Sequence, residues 1–218
     1  MGPPILRAME PHATPPGSAR KLRVAFVAPY GEPRDGFFAD SLLAILAAEV
    51  EARGHEARVL RVYYDGDSGW GDETIGARFE LWLRDFAPDL VAFERLFDPV
   101  PIREFRRGRP SATTALVWRG DSFDAVEGVD LAIGALPGLT KRGTTRRTPT
   151  IDELVLSFTR VVEAIASARP VEGIPGVARF VDGELLGAAP LEKPPAPLPF
   201  RAIAAQEVIA PGDAPRIV

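Results

Sequence analysis

The sequence predicts an α/β domain with a doubly wound parallel sheet of five strands. Short apolar runs of strand length alternate along the chain with segments whose apolar residues recur at helical spacing. The runs are apolar almost throughout, as expected of parallel strands that are buried on both faces. Glycine or proline separates most of these segments, which is where turns between elements belong.

The first three elements form a βαβ unit. Leu22–Ala28 (LRVAFVA) is the first predicted strand, and Pro29 is expected to end it. Ala39–Arg53 consists mainly of strong helix formers, and Gly54 follows it as a C-cap glycine. The second strand is predicted over Ala57–Tyr63 (ARVLRVY). The connection between the two strands is long enough for a parallel crossover.

The same alternation continues to residue 133. Asp89–Phe93, Thr113–Trp118 and Val129–Ile133 are the third, fourth and fifth predicted strands, and Ile102–Arg106 is a weak helix. The helix before the third strand ends at Pro88, and its apolar stripe consists of Ile75, Phe79, Trp82, Leu83 and Phe86.

The last predicted helix has the clearest start signal. Thr150 and Glu153 have the spacing of a capping box. The buried stripe that follows consists of Ile151, Leu154, Val155, Phe158, Val162 and Ile165.

The character of the chain changes after Pro170. Ile174–Leu186 predicts a hairpin that turns at Asp182-Gly183, and the proline-rich Ala188–Phe200 predicts an extended linker. We expect both to pack outside the sheet, and Phe200–Val218 to become ordered only against a second domain or chain. The predicted division is a disordered leader (1–20), an α/β domain (21–170), and a hairpin with a proline-rich linker (171–218).

Composition excludes several classes of chemistry. The chain has 218 residues and no cysteine, so it cannot hold a thiolate zinc site, an iron–sulfur cluster or a cysteine nucleophile. The formal net charge of -4 and the short basic run Lys141–Arg147 give no reason to expect nucleic acid. No apolar stretch approaches the roughly 20 residues that span a bilayer. We expect a cytoplasmic protein that does not bind nucleic acid or membranes.

Ligands of open α/β sheets bind beyond the carboxyl ends of the strands. The candidate loops are therefore those after Ala28, Tyr63, Phe93, Trp118 and Ile133. His55 precedes the second strand, so it is expected at the opposite edge as a structural residue, and His12 lies in the leader. Neither nucleotide-binding glycine signature is present, and we expect no catalytic centre in this chain.

Several segments together resemble a known family. These are Leu22–Pro29, LAAEVEARGHEARVLRV (Leu46–Val62), FAPDLVAF (Phe86–Phe93), GVDLAIG (Gly128–Gly134), and then TIDELV, IPGVARFVDGELL and a proline linker that ends in LPF. They are similar to the N-terminal cobalamin-binding domain of cobalamin-dependent radical S-adenosylmethionine enzymes, which is a Rossmann-like fold. The resemblance runs from about Lys21 to Phe200. Its first half is also similar to the N-terminal half of glycosyltransferases.

The resemblance implies a bound cobalamin, with cobalt entering only through that cofactor and no metal ligand from the chain. It also implies a radical S-adenosylmethionine domain or chain as partner, which would carry the iron–sulfur cluster that this chain lacks. The contacts to the cofactor that it implies are Tyr30, Gly31, Asp35, Glu94, Arg95, Arg119, Gly120, Gly134 and Gly138.

The chain departs from the family after the third, fourth and fifth strands, and after the fifth the usual glycine-acid signature reads Gly134-Ala135-Leu136-Pro137-Gly138. Glu94-Arg95 replaces the usual small hydroxyl residue after the third strand, and Arg119-Gly120 replaces a pair of glycines after the fourth. The D-x-H-x-x-G motif that supplies a cobalt-ligating histidine in the wider fold is also absent. Three hypotheses therefore stay open: a cobalamin-binding module, a degenerate interaction domain of the same fold, and the N-terminal half of a glycosyltransferase.

Overall fold

The structure, a computed structural model, describes residues 20–30, 42–63, 73–93, 105–117, 128–134, 149–181, 184–187, 189–194, 196, 204–209 and 216–217. Within these residues, nine strands form one sheet in the order β7-β6-β5-β4-β3-β1-β2-β8-β9. The strands are β1 (Arg23–Tyr30), β2 (Glu56–Tyr63), β3 (Leu90–Phe93), β4 (Thr113–Val117), β5 (Leu131–Ile133), β6 (Val177–Val181), β7 (Glu184–Leu186), β8 (Gln206–Ile209) and β9 (Arg216–Ile217).

The predicted parallel core of this sheet is confirmed. β1 pairs in parallel with β2 and β3, and the parallel pairing continues from β3 to β4 and from β4 to β5. The expectation that Pro29 ends the first strand is wrong, because β1 continues through it to Tyr30. A proline removes one hydrogen-bond donor from a strand, and here the pairing with β2 continues beyond it.

Within the described residues, the helices of more than ten residues lie on the two faces of the sheet: α1 (Leu42–Ala52), α2 (Glu73–Phe86) and α3 (Ile151–Ala166). Successive side chains of β1 enter opposite layers, so that Val24 and Phe26 pack with α1 and α3, whereas Ala25 and Val27 pack with α2. Phe26 and Phe158 form the aromatic contact of the first layer, with ring centroids 5.1 Å apart. The sheet is therefore doubly wound, as predicted.

The capping box at the start of α3 is formed as predicted. The Glu153 backbone N–H donates to Thr150 Oγ1 at 3.3 Å, and the Thr150 backbone N–H donates to Glu153 Oε2 at 2.9 Å. Both contacts satisfy donors that a helix N-terminus would otherwise leave without partners. Glu153 is buried because its carboxylate closes this cap.

The expected strand number of five is wrong, because the hairpin joins the sheet instead of packing outside it. β6 pairs antiparallel with β5, and β7 pairs antiparallel with β6. Without the hairpin, β5 would present an edge of backbone donors and acceptors without partners. Val177 and Ala178 of β6 are buried, so the hairpin also extends both layers of the core.

The expected poor anchoring of residues 200–218 is also wrong for the strand that the structure describes there. β8 pairs in parallel with β2 at the other edge of the sheet, and its Val208 and Ile209 are 7% and 1% exposed. Trp82 Nε1 donates to Glu207 Oε2 at 2.8 Å, which ties β8 to α2. The domain division at residue 170 remains a prediction, although strands from both sides of it share one sheet.

Candidate functional site

The strand order identifies one point on the carboxyl edge of the sheet as the place for a ligand. β1 lies in the middle of the parallel core, with β2 on one side and β3 on the other, so the order is β2-β1-β3-β4-β5. From β1 the chain continues to β2 on one side, and from β2 it crosses back to β3 on the other side of β1. The boundary between β1 and β3 is therefore the topological switch point. The loops that follow β1 and β3 flank the crevice expected there.

The ends of the described strands lie at two levels along this edge. Val27 is level with Phe93, the last residue of β3, and Tyr30 lies three residues further along β1. Tyr30 is level with Tyr63 at the end of β2. At about 3.3 Å per residue the difference is roughly 10 Å. We call this difference in level the carboxyl-edge step.

The lower side of the carboxyl-edge step is formed by three neighbouring strands. Phe93 is level with Leu116, and Val117 is level with Ile133, so the described ends of β3, β4 and β5 differ by a residue or so. Three strands at the usual spacing of about 4.8 Å make a platform roughly 10 Å wide. A broad, flat ligand that lay on this platform would have the ends of β1 and β2 beside it.

Two of the sequence-predicted contacts lie within the described residues, and both are on this edge. Tyr30 is the last residue of β1, and Gly134 directly follows β5. The other seven lie outside the described residues: Gly31, Asp35, Glu94, Arg95, Arg119, Gly120 and Gly138. In the chain, Glu94 directly follows β3 and Arg119 comes two residues after β4, so they follow neighbouring strands.

Gly134 has a conformation that side chains rarely adopt. Its φ of +92° lies in the left-handed region, and its backbone N–H donates to the Gly176 carbonyl at 2.7 Å. This bond joins the end of β5 to the turn before β6. Gly134, which was predicted to line the carboxyl edge, therefore has a role in the fold that does not depend on any ligand.

The sequence patterns did not single out Gly176, which packs more tightly than any other glycine for which the structure describes the surroundings. A Cβ atom built there would lie 2.2 Å from Leu191 Cδ2 and 2.9 Å from Ser157 Oγ. The Ser157 hydroxyl donates to the Pro175 carbonyl at 2.7 Å, and the Gly176 N–H donates to the Ala189 carbonyl at 2.9 Å. The start of the proline-rich segment is thus packed against α3 beside the carboxyl edge. The dipeptide Pro175-Gly176 was the available signal, since it marks a turn.

His55 lies at the amino edge of the sheet, as predicted. Its Nδ1 accepts a hydrogen bond from the Leu22 backbone N–H at 3.3 Å, just before β1 begins. Burial lowers the pKa of His55, and the nearby Arg53 and Lys21 lower it further, against the opposing effect of Glu163. A neutral ring with Nδ1 as acceptor suits this position, so His55 has a structural role.

The amino edge also contains a well-formed network of polar groups. Arg106 donates through Nη1 and Nη2 to the two oxygens of Asp130 at 2.8 and 3.0 Å. The Thr114 backbone N–H donates to the same carboxylate at 2.8 Å, and the Thr114 hydroxyl donates to the Gly128 carbonyl at 2.6 Å. These bonds fix the starts of β4 and β5 relative to each other.

The described part of the chain offers neither a metal centre nor a membrane-spanning helix. None of its groups of His, Cys, Asp and Glu has three or more members placed to hold a metal ion. None of its helices has the length and apolarity that crossing a membrane requires.

Two solved structures of TsrM, a radical S-adenosylmethionine methyltransferase from Kitasatospora setae, are similar to this chain. The one with tryptophan substrate and a SAM analog (aza-SAM) bound has a TM-score of 0.53 at 20% sequence identity. The one with cobalamin and a [4Fe-4S] cluster bound has a TM-score of 0.47 at 16% identity. No family model matches the sequence, and no curated protein matches it either.

The match with TsrM covers 78% of this chain and 30% of the TsrM chain for the first structure. This chain therefore spans less than a third of the length of that protein. At 20% identity the likeness shows a shared fold, and it supports the α/β architecture with a mostly parallel sheet.

Proposed function

We propose that this chain is a cobalamin-binding-like module with a Rossmann-like fold, which presents a corrinoid to a radical S-adenosylmethionine domain or chain. The observation that carries the proposal is the fold shared with TsrM, a protein that has also been solved with cobalamin and a [4Fe-4S] cluster bound. The sequence resemblance over residues 21–200 supports the same assignment independently of the structure.

The carboxyl-edge step fits a ligand of this shape. A corrinoid is broad and flat, and the neighbouring ends of β3, β4 and β5 offer it a platform of comparable breadth. Gly134 ends β5 without a side chain, so backbone can approach the ligand closely there. The switch point between β1 and β3 is also where a doubly wound sheet leaves a crevice.

The residues proposed to hold the cofactor follow the ends of β1, β3, β4 and β5. They are Tyr30, Gly31, Asp35, Glu94, Arg95, Arg119, Gly120, Gly134 and Gly138. When bound, the corrinoid would supply the reactive metal centre. This chain would bind and orient it, and the partner would supply the cysteines for an iron–sulfur cluster, since this sequence contains none.

Arg119 distinguishes a working module from a degenerate one. A guanidinium buried without a partner costs several kcal/mol, so an Arg119 that entered the crevice would need an anion as its partner. We propose that it hydrogen-bonds the phosphate of the nucleotide tail of cobalamin. The alternative is that Arg119 pairs with Glu94 across neighbouring strands and fills the crevice, which would make this a degenerate interaction domain.

A titration with hydroxocobalamin, followed by tryptophan fluorescence, separates these two cases. Loss of a charge-assisted phosphate contact in Arg119→Gly should weaken binding about tenfold or more. Arg109→Gly is the matched control, because Arg109 precedes β4 at the opposite, amino edge of the sheet. Binding by Arg119→Gly but not by the parent protein would show a blocked crevice, and the degenerate domain would replace the proposal.

A further inference from the structure

A cavity lies at the amino edge of the sheet, away from the carboxyl-edge step. Its volume is about 370 Å³, and it opens between the starts of β4 and β5 and the chain that follows α3. We call it the amino-edge cavity. Three arginines line it: Arg106, Arg169 and Arg179. Its volume is at the lower end of the range for small-molecule sites.

Two of the three arginines are already neutralised by carboxylates that also line the cavity. Arg106 binds Asp130 in a bidentate pair, with the shorter contact at 2.8 Å. Arg179 Nη1 lies 2.5 Å from Glu172 Oε1. Hydrogen bonds from its own backbone N–H and from Arg179 lower the pKa of Glu172, so it stays ionised and paired.

Arg169 is the cation that remains. Within the described residues, its side chain has no hydrogen-bond or ion-pair partner, although it lines the same cavity. Among the described lining residues, the two neutral pairs therefore leave one uncompensated positive charge. The described lining also includes the hydroxyl-bearing residues Ser111 and Thr113, whose side chains have no described partner. The cavity thus offers hydrogen-bond donors together with a net positive charge.

A purely structural role for Arg169 explains only part of this arrangement. Arg169 follows the end of α3, where a cation is favoured by the partial negative charge of the helix C-terminus. That effect requires neither a cavity nor hydroxyl groups nearby. Arg84 offers the comparison, since it is exposed like Arg169 and lies in the last turn of α2, but does not line the cavity.

We propose that the amino-edge cavity binds a small tetrahedral oxyanion, either free phosphate or the phosphate group of a small metabolite, with Arg169 as its main charged contact. A phosphate has several acceptor oxygens and two charges near neutral pH, which matches a cavity of donors with an excess cation. The site is independent of the proposed corrinoid site, because the two lie at opposite edges of the sheet.

Isothermal titration of the full chain with inorganic phosphate and with AMP tests this proposal. At low ionic strength the parent protein should bind at least one of them with a dissociation constant on the order of 1 mM or below. Arg169→Gln should weaken that binding about tenfold, Arg169→Lys should retain part of it, and Arg84→Gln should leave it unchanged. Tighter binding of AMP would identify a phosphate ester as the natural ligand, and equal or tighter binding of inorganic phosphate would identify the free ion.

Two results would overturn the proposal: no heat of binding with either ligand, or equal affinity in the parent and in Arg169→Gln. Melting temperatures of all variants check that each is folded. Cobalamin binding is measured separately by visible absorption, so failure of one site is distinguishable from failure of the other.

Discussion

Substitution of Gly176 by alanine tests the packing beside the carboxyl edge. Its φ of +73° is strained for any residue with a Cβ, which costs about 1–2 kcal/mol. The new methyl group would also lie 2.2 Å from Leu191 Cδ2 and 2.9 Å from Ser157 Oγ. Overpacking of this kind costs typically about 1–3 kcal/mol. We therefore expect Gly176→Ala to lower the free energy of unfolding by roughly 2–5 kcal/mol.

Gly173→Ala is the matched control, because Gly173 has φ +81° but no atom within 4 Å of a built Cβ. It should lose only the backbone term of about 1–2 kcal/mol. Urea unfolding of the parent and both variants, followed by tryptophan fluorescence, measures the two changes. In a double-mutant cycle, Leu191→Ala should reduce the additional cost of Gly176→Ala by about 1 kcal/mol or more. Equal losses in the two glycine variants would refute the packing of Leu191 over Gly176.

Three further predictions concern other parts of the fold. The pKa of His55 lies below the ordinary histidine value of 6.5, so neutral His55 contributes its full stability above pH 6.5 and loses it as the pH falls. The melting temperature should therefore fall less between pH 7.5 and 5.5 in His55→Gln than in the parent. Asp130→Asn breaks the bidentate contact and should lower the urea midpoint by the equivalent of about 1–3 kcal/mol, whereas an unchanged midpoint would contradict the network. The amides of Val208 and Ile209 should exchange slowly with deuterium in a monomer isolated by size exclusion, and exchange at the unfolded rate would show that β8 does not pair there.

The parallel core was predictable because its signals are local. Runs such as Leu22–Ala28 and Asp89–Phe93 are apolar almost throughout, and this pattern is the direct consequence of burial on both faces. The capping box at Thr150 is equally local, since its two members lie one helical turn apart. Predicted and observed element boundaries differ by one to three residues, for example where β1 continues through Pro29 to Tyr30.

The edges of the sheet were not predictable from the same signals. β8 is four residues long and follows a proline-rich segment, so its sequence resembles that of a tail. What holds it is the open edge of β2 together with contacts from distant residues, namely Arg61 Nε to Gln206 Oε1 at 2.7 Å and Trp82 to Glu207. Contacts across 145 positions of sequence leave no local pattern.

The candidate site was predictable as a place, whereas its residues were predictable only through the family resemblance. The carboxyl edge follows from the strand directions alone, and the structure adds the strand order that selects the β1/β3 boundary. Gly134 lies at the carboxyl edge, as its place after the fifth predicted strand indicated, and its contact with a cofactor stays a prediction. The contribution of Gly176 depends on Leu191 and Ser157, which meet it only in the folded chain.

The most direct test of the proposed function is the visible absorption spectrum of the protein after mixing with excess hydroxocobalamin and desalting. The proposal predicts that the corrinoid bands elute with the protein, at close to one corrinoid per chain. A desalted protein with no visible absorption, under conditions in which its melting curve shows it to be folded, would contradict the assignment as a cobalamin-binding module.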